Sequence, residues 1–95
     1  MTLEEIKKTV KAMHIETLNY DSYTTTEKAG FKHNTDITDE IFDELDKYVD
    51  DALFTVRKET DKDVDFQQFV FDYDKEKIYF EFKDEFGKTF LKELK

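Results

Sequence analysis

The sequence predicts a single α+β domain: an antiparallel sheet of about four strands packed against two helices, in the order α-β-β-α-β-β with a short C-terminal helix or strand. Three observations predict it. A long segment from about Thr38 to Lys58 repeats apolar residues at helical spacing, two aromatic-rich runs near the C-terminus alternate with period two, and 95 residues supply one modest core.

Thr2-Leu3-Glu4-Glu5 has the pattern of a capping box, and Leu3, Ile6, Val10 and Met13 follow at helical spacing, which predicts a first helix over residues 3 to 13. From Glu16 to Thr25 the composition turns to Thr, Tyr and Leu, with Leu18 and Tyr20 on one parity. Gly30 then marks a turn before Phe31-Lys32-His33, so a hairpin is expected here.

The second helix is the clearest element. Ile41, Phe42, Leu45, Tyr48, Val49, Ala52, Leu53 and Val56 form one continuous apolar stripe. Thr38 is the expected N-cap, Ile37 and Phe42 the expected hydrophobic staple, and Arg57 and Lys58 complement the negative end of the helix dipole. After a polar loop, Glu59 to Asp65, the runs Phe69-Val70-Phe71-Asp72-Tyr73 and Ile78-Tyr79-Phe80-Glu81-Phe82 read as a hairpin. Facing Tyr73 with Ile78 sets Phe71 against Phe80 and Phe69 against Phe82, around a loop of Asp74 to Lys77. The tail spaces Phe90, Leu91 and Leu94 like a short helix, with an edge strand as the alternative.

Composition narrows the functional classes. Charged residues are 41% of the chain, a disorder-prone value, but ten Phe and five Tyr provide enough apolar surface to fold. There is no cysteine, so no thiolate metal site, disulfide or cysteine nucleophile is available. Gly30 and Gly87 are the only glycines and proline is absent, which leaves no glycine-rich phosphate loop. The acidic N-terminus and the lack of a long apolar run predict a cytoplasmic protein that neither spans a membrane nor carries a signal peptide. No cofactor or metal is expected.

The net charge of −9 is concentrated. Residues 36 to 65 hold twelve acids against four bases, while the rest of the chain holds twelve against eleven. On one continuous helix Asp39/Asp43, Glu40/Glu44 and Asp46/Asp50 are like-charge pairs at i,i+4, each unfavourable by roughly 0.2–0.5 kcal/mol. First-turn acids are explained by the helix dipole. Asp43, Glu44, Asp46, Asp50 and Asp51, with Asp61 and Asp63 in the following loop, are the candidates for binding a partner, and Tyr48 or Tyr79 for an aromatic anchor. Carboxylates three or four residues apart stand about 5–6 Å from one another, a spacing of the same order as neighbouring phosphates. The competing reading is a merely solvating face.

Other chemistry finds little support. His14 and His33 are the only histidines, far apart and with no serine motif beside them, and His14 is placed to interact with a helix C-terminus. Asp61, Asp63 and Asp65 begin like an EF-hand but lack its glycine and later ligands. One arginine and a balanced group of Lys7, Lys8 and Lys11 argue against direct nucleic-acid binding. An enzyme is not expected.

The acidic segment Ile37 to Glu59 followed by Phe69-Val-Phe-Asp-Tyr and Lys77-Ile-Tyr-Phe-Glu-Phe resembles, over about half the chain, the YezG-type immunity proteins that neutralise bacterial nuclease toxins. Its size and charge are also similar to those of small phage anti-defence proteins that imitate nucleic acid. The resemblance implies an inhibitor or immunity protein of bacterial or phage origin, and the acidic helix with its following loop leads to the expectation that it occupies a basic, nucleic-acid-binding surface of a partner enzyme, as a monomer or weak dimer. The alternative is an assembly domain that pairs with itself through a sheet edge.

Overall fold

The computed structural model describes residues 2–18, 35–72 and 74–95, with side chains 35–38 also outside the description. Helix α1 spans Leu3–Ala12, strand β1 Thr17–Leu18, helix α2 Thr35–Asp46, helix α3 Val49–Thr60, and strands β2, β3 and β4 span Val64–Asp72, Lys77–Asp84 and Thr89–Glu93. The strands form one antiparallel sheet in the order β1-β2-β3-β4. Helices and inward strand residues share one core, giving the expected α+β domain in two layers. The expected partner strand at Phe31–His33 and the Ile37 side chain of the expected staple lie outside the described residues.

The ends of α1 are set locally. The Thr2 hydroxyl accepts from the Glu5 backbone N–H at 3.2 Å and donates to its carboxylate at 3.1 Å. At the other end Ile15 N–H bonds to Val10 C=O and His14 N–H to Lys11 C=O, with His14 left-handed at φ 56°, the arrangement of a Schellman cap. Ile15 and Val10 are both buried, supplying the apolar contact that accompanies this cap.

The long helix expected from Thr38 to Lys58 is two helices. It begins earlier, at Thr35, so Thr38 is not its cap, and it is interrupted at Lys47–Tyr48, where Tyr48 N–H bonds to Leu45 C=O three residues back. Helix α3 then starts afresh, with Ala52 N–H on Tyr48 C=O. Ile41, Leu45, Val49, Ala52 and Val56 are buried throughout, so the stripe crosses the interruption without losing phase. Tyr48 leaves the stripe and is 49% exposed.

The β2–β3 hairpin also corrects the expected register. Phe69 faces Phe80, Phe71 faces Ile78 and Asp72 faces Lys77, two residues away from the expected pairing, so every ring keeps its face. The Asp72 carboxylate accepts from Lys75 N–H at 3.1 Å, closing a turn in which Glu76 is left-handed. Strand β2 also begins at Val64, inside the segment expected to be loop, and a bulge at Gln67 shifts its phase. Val64 and Phe66 thus point inward before the bulge, and Phe69 and Phe71 after it. Phe66 packs against Phe69, Phe80 and Phe82 at centroid distances of 4.9, 6.5 and 5.9 Å, and Phe42 of α2 meets Phe69 edge-on at 5.6 Å. Burying each ring contributes about 1.5–3 kcal/mol.

The tail is strand β4. Asp84 and Lys88 flank a three-residue turn whose last position, Gly87, has φ 81°, a conformation glycine adopts without cost. Among the described residues no helix is long and apolar enough to cross a membrane.

Candidate functional site

The interruption at Lys47–Tyr48 rearranges the acidic face. Asp50 and Asp51 occupy the first turn of α3, where the positive end of the helix dipole favours them. They therefore have a structural reason that a continuous helix would not have provided. Asp43 and Asp46 lie in the last turn of α2, at its negative end, and that turn contains no base. Asp46 also precedes the start of α3, so the two helix ends act on it in opposite senses. Asp43 is the carboxylate that helix electrostatics disfavours most clearly.

Asp43, Asp46, Asp50 and Asp51 are all exposed. Glu44 behaves differently: Lys47 Nζ sits 3.1 Å away, and this hydrogen-bonded ammonium holds its half-exposed carboxyl below the usual range. It is committed to its own chain. Asp61 closes α3 in a left-handed conformation, its N–H on Arg57 C=O. Asp63 and Asp65 face Arg57 at 3.2 and 3.9 Å, and the same guanidinium donates to Val64 C=O. Two of the three acids of the EF-hand-like run are thus gathered around one arginine at the end of α3. Among the described residues no three His, Asp or Glu converge as metal ligands would.

One residue of the site escaped the sequence reading. Phe54 is 69% exposed on α3, one turn after Asp50 and Asp51. Its signal was present, since Phe54 falls outside the apolar stripe. An aromatic off the buried face has no core role. Tyr48 at the helix junction is a second exposed ring, bordering a hollow lined by Leu3, Ile6, Glu44 and Leu94, whereas Tyr79 on the outer face of the sheet is half-buried.

Asp84 is a second residue the sequence reading missed, and its role is architectural. It follows Ile78, Phe80 and Phe82 on the inward parity of β3 and is the only buried charged residue among those described. Burial alone would raise its pKa, but backbone N–H groups of Lys88 and Phe86, at 2.8 and 2.9 Å, and the Lys62 ammonium outweigh that and lower it. The donors serve Oδ1; Oδ2 has no well-formed hydrogen bond and faces Lys62 Nζ at 3.5 Å.

A cleft between α1 and the β2–β3 turn has Val10, Phe71 and Ile78 as its floor. Lys7, Lys8, Lys11 and Lys77 alternate around it with Glu4, Asp72 and Glu76, and neither His14 nor any nucleophilic hydroxyl lines it. His33 lies outside the described residues. No family model, curated protein or solved structure matches this chain.

Proposed function

We propose that the protein is an inhibitor or immunity-type protein whose acidic helical face occupies a basic surface of a partner, such as the nucleic-acid-binding site of a nuclease. The supporting observation is the exposed aromatic Phe54 one turn after exposed Asp50 and Asp51, with Asp43, Asp46 and Tyr48 exposed in the turns before them. Exposed rings among carboxylates are costly to hydrate and useful at an interface, where aromatic anchors dominate binding energy and surrounding charge steers approach. A solvating face needs the acids but not the phenylalanine. The resemblance to YezG-type immunity proteins points the same way. Glu44 and Asp63 then support the surface more than they extend it, since each is ion-paired within its own chain, while exposed Asp61 adds charge at the end of α3.

Association should be fast at low salt and slow as salt screens the face. The test is capture of partners on the immobilised protein, followed by inhibition assays on any nuclease captured. Phe54→Ala should weaken binding by about thirtyfold or more, the size of a hot-spot loss. Asp43→Asn/Asp46→Asn/Asp50→Asn/Asp51→Asn should slow association and flatten its salt dependence. Undiminished binding by both variants would sink the proposal.

A further inference from the structure

Strand β4 is the outermost strand among the described residues, and its outward side can be assigned residue by residue. Asp84 N–H bonds to Lys88 C=O and Leu94 N–H to Ile78 C=O, and between them Phe82 faces Phe90 and Phe80 faces Lys92. In an antiparallel ladder hydrogen-bonded pairs alternate with non-bonded ones, so residues 88, 90, 92 and 94 direct their backbone groups toward β3. Thr89, Leu91 and Glu93 direct theirs outward, where no other strand among the described residues pairs with them.

Edge strands are normally protected by charge. Here both charges are already neutralised within the chain: Lys92 pairs with Glu59 of α3 at 3.4 Å, and Glu93 with Lys77 of β3 at 3.1 Å. At the centre of the strand stands Leu91, 56% exposed. In a chain with net charge −9, β4 is an electrically quiet and partly apolar edge.

We propose that β4 is a self-association edge that pairs antiparallel with β4 of a second copy, joining the two sheets, with Leu91 opposite Leu91. This register is selected by its contacts. It sets Thr89 against Glu93 and Phe90 against Lys92, opposes no like charges, and forms about six backbone hydrogen bonds across the two-fold axis. Sliding by two residues one way brings Lys92 against Lys92; sliding the other way leaves Glu93 unpaired. The acidic faces on α2 and α3 repel between copies, so salt strengthens this contact by screening them. That is the opposite sign to the salt dependence of the partner-binding face.

Sedimentation over about 1 μM to 1 mM, at low and moderate salt, tests the proposal. A concentration-dependent dimer that tightens with salt is expected, with exchange protection appearing at the Thr89, Leu91 and Glu93 amides as it forms. Leu91→Lys places like charges opposite each other, and Leu91→Pro removes an outward N–H without breaking a hydrogen bond inside the copy. Each should weaken the dimer at least about tenfold. Neutralising Asp43, Asp46, Asp50 and Asp51 should leave it intact or tighten it, which separates this contact from the partner-binding face. A strict monomer throughout, or a dimer that survives both Leu91 variants, overturns the proposal.

Discussion

Replacing Asp50 and Asp51 by asparagine has different consequences for one long helix and for two. Aspartate and asparagine have nearly equal helix propensity, so the substitution removes charge and little else. In the structure both residues occupy the first turn of α3, where each carboxylate stabilises by roughly 0.3–1 kcal/mol at low ionic strength. The double variant should therefore lose about 1 kcal/mol, a fall in melting temperature of roughly 4–8 °C for a domain of this size. Asp43 sits in the last turn of α2, and Asp43→Asn should raise stability by about 0.3–1 kcal/mol. Asp46 lies between the two ends, so its neutralisation should change little. On an unbroken helix from Thr38 to Lys58 the dipole would be weak at all these positions. There Asp43→Asn, Asp46→Asn and Asp50→Asn would each relieve a like-charge pair at i,i+4 worth about 0.2–0.5 kcal/mol, while Asp51→Asn would give up a similar attraction to Lys47, so the Asp50/Asp51 double change would be close to neutral. Thermal melts followed by circular dichroism at low and high salt distinguish the cases, and salt should shrink the dipole effect. If Asp50→Asn/Asp51→Asn melts at or above the temperature of the unmodified protein, the interruption does not act as a helix start and the reasoning fails.

His14→Gly should raise stability by about 1 kcal/mol, because glycine accepts the left-handed conformation that closes α1; an unchanged or lower denaturation midpoint would contradict that origin of strain. Asp84→Asn should lower stability at neutral pH. The folded carboxyl of Asp84 lies below its ordinary value, so its contribution is present above the unfolded pKa and is lost as pH falls through the folded one. The difference between Asp84→Asn and the unmodified protein should accordingly vanish in acid; a gap that persists at low pH would assign the effect to packing instead.

The second helical segment illustrates how far the sequence could be read. The positions of Ile41, Leu45, Val49, Ala52 and Val56 identify the buried face correctly, because one side of a helix against a sheet imposes that spacing. The same spacing conceals the interruption at Tyr48. The tightened turn preserves the phase of the stripe, and neither glycine nor proline marks it. The acidic residues were legible as a group, but the helix ends that make Asp50 and Asp51 locally favourable, and the ion pairs that engage Glu44 and Asp63, depend on where backbone and cations lie.

The C-terminal hairpin divides the same way. Alternation assigned each aromatic to its face, since a shift of two residues leaves side-chain direction unchanged, but it did not select the register. The change from Val64 and Phe66 to Phe69 and Phe71 carried the mark of the Gln67 bulge, legible only once β2 is known to begin at Val64. By itself the sequence determined the fold class, the buried faces and the concentration of negative charge, all of which follow from local periodicity and composition. The tertiary structure alone decided the break between α2 and α3, the burial of Asp84 and, among the described residues, the open edge of β4. Each depends on which residues distant in the chain become neighbours.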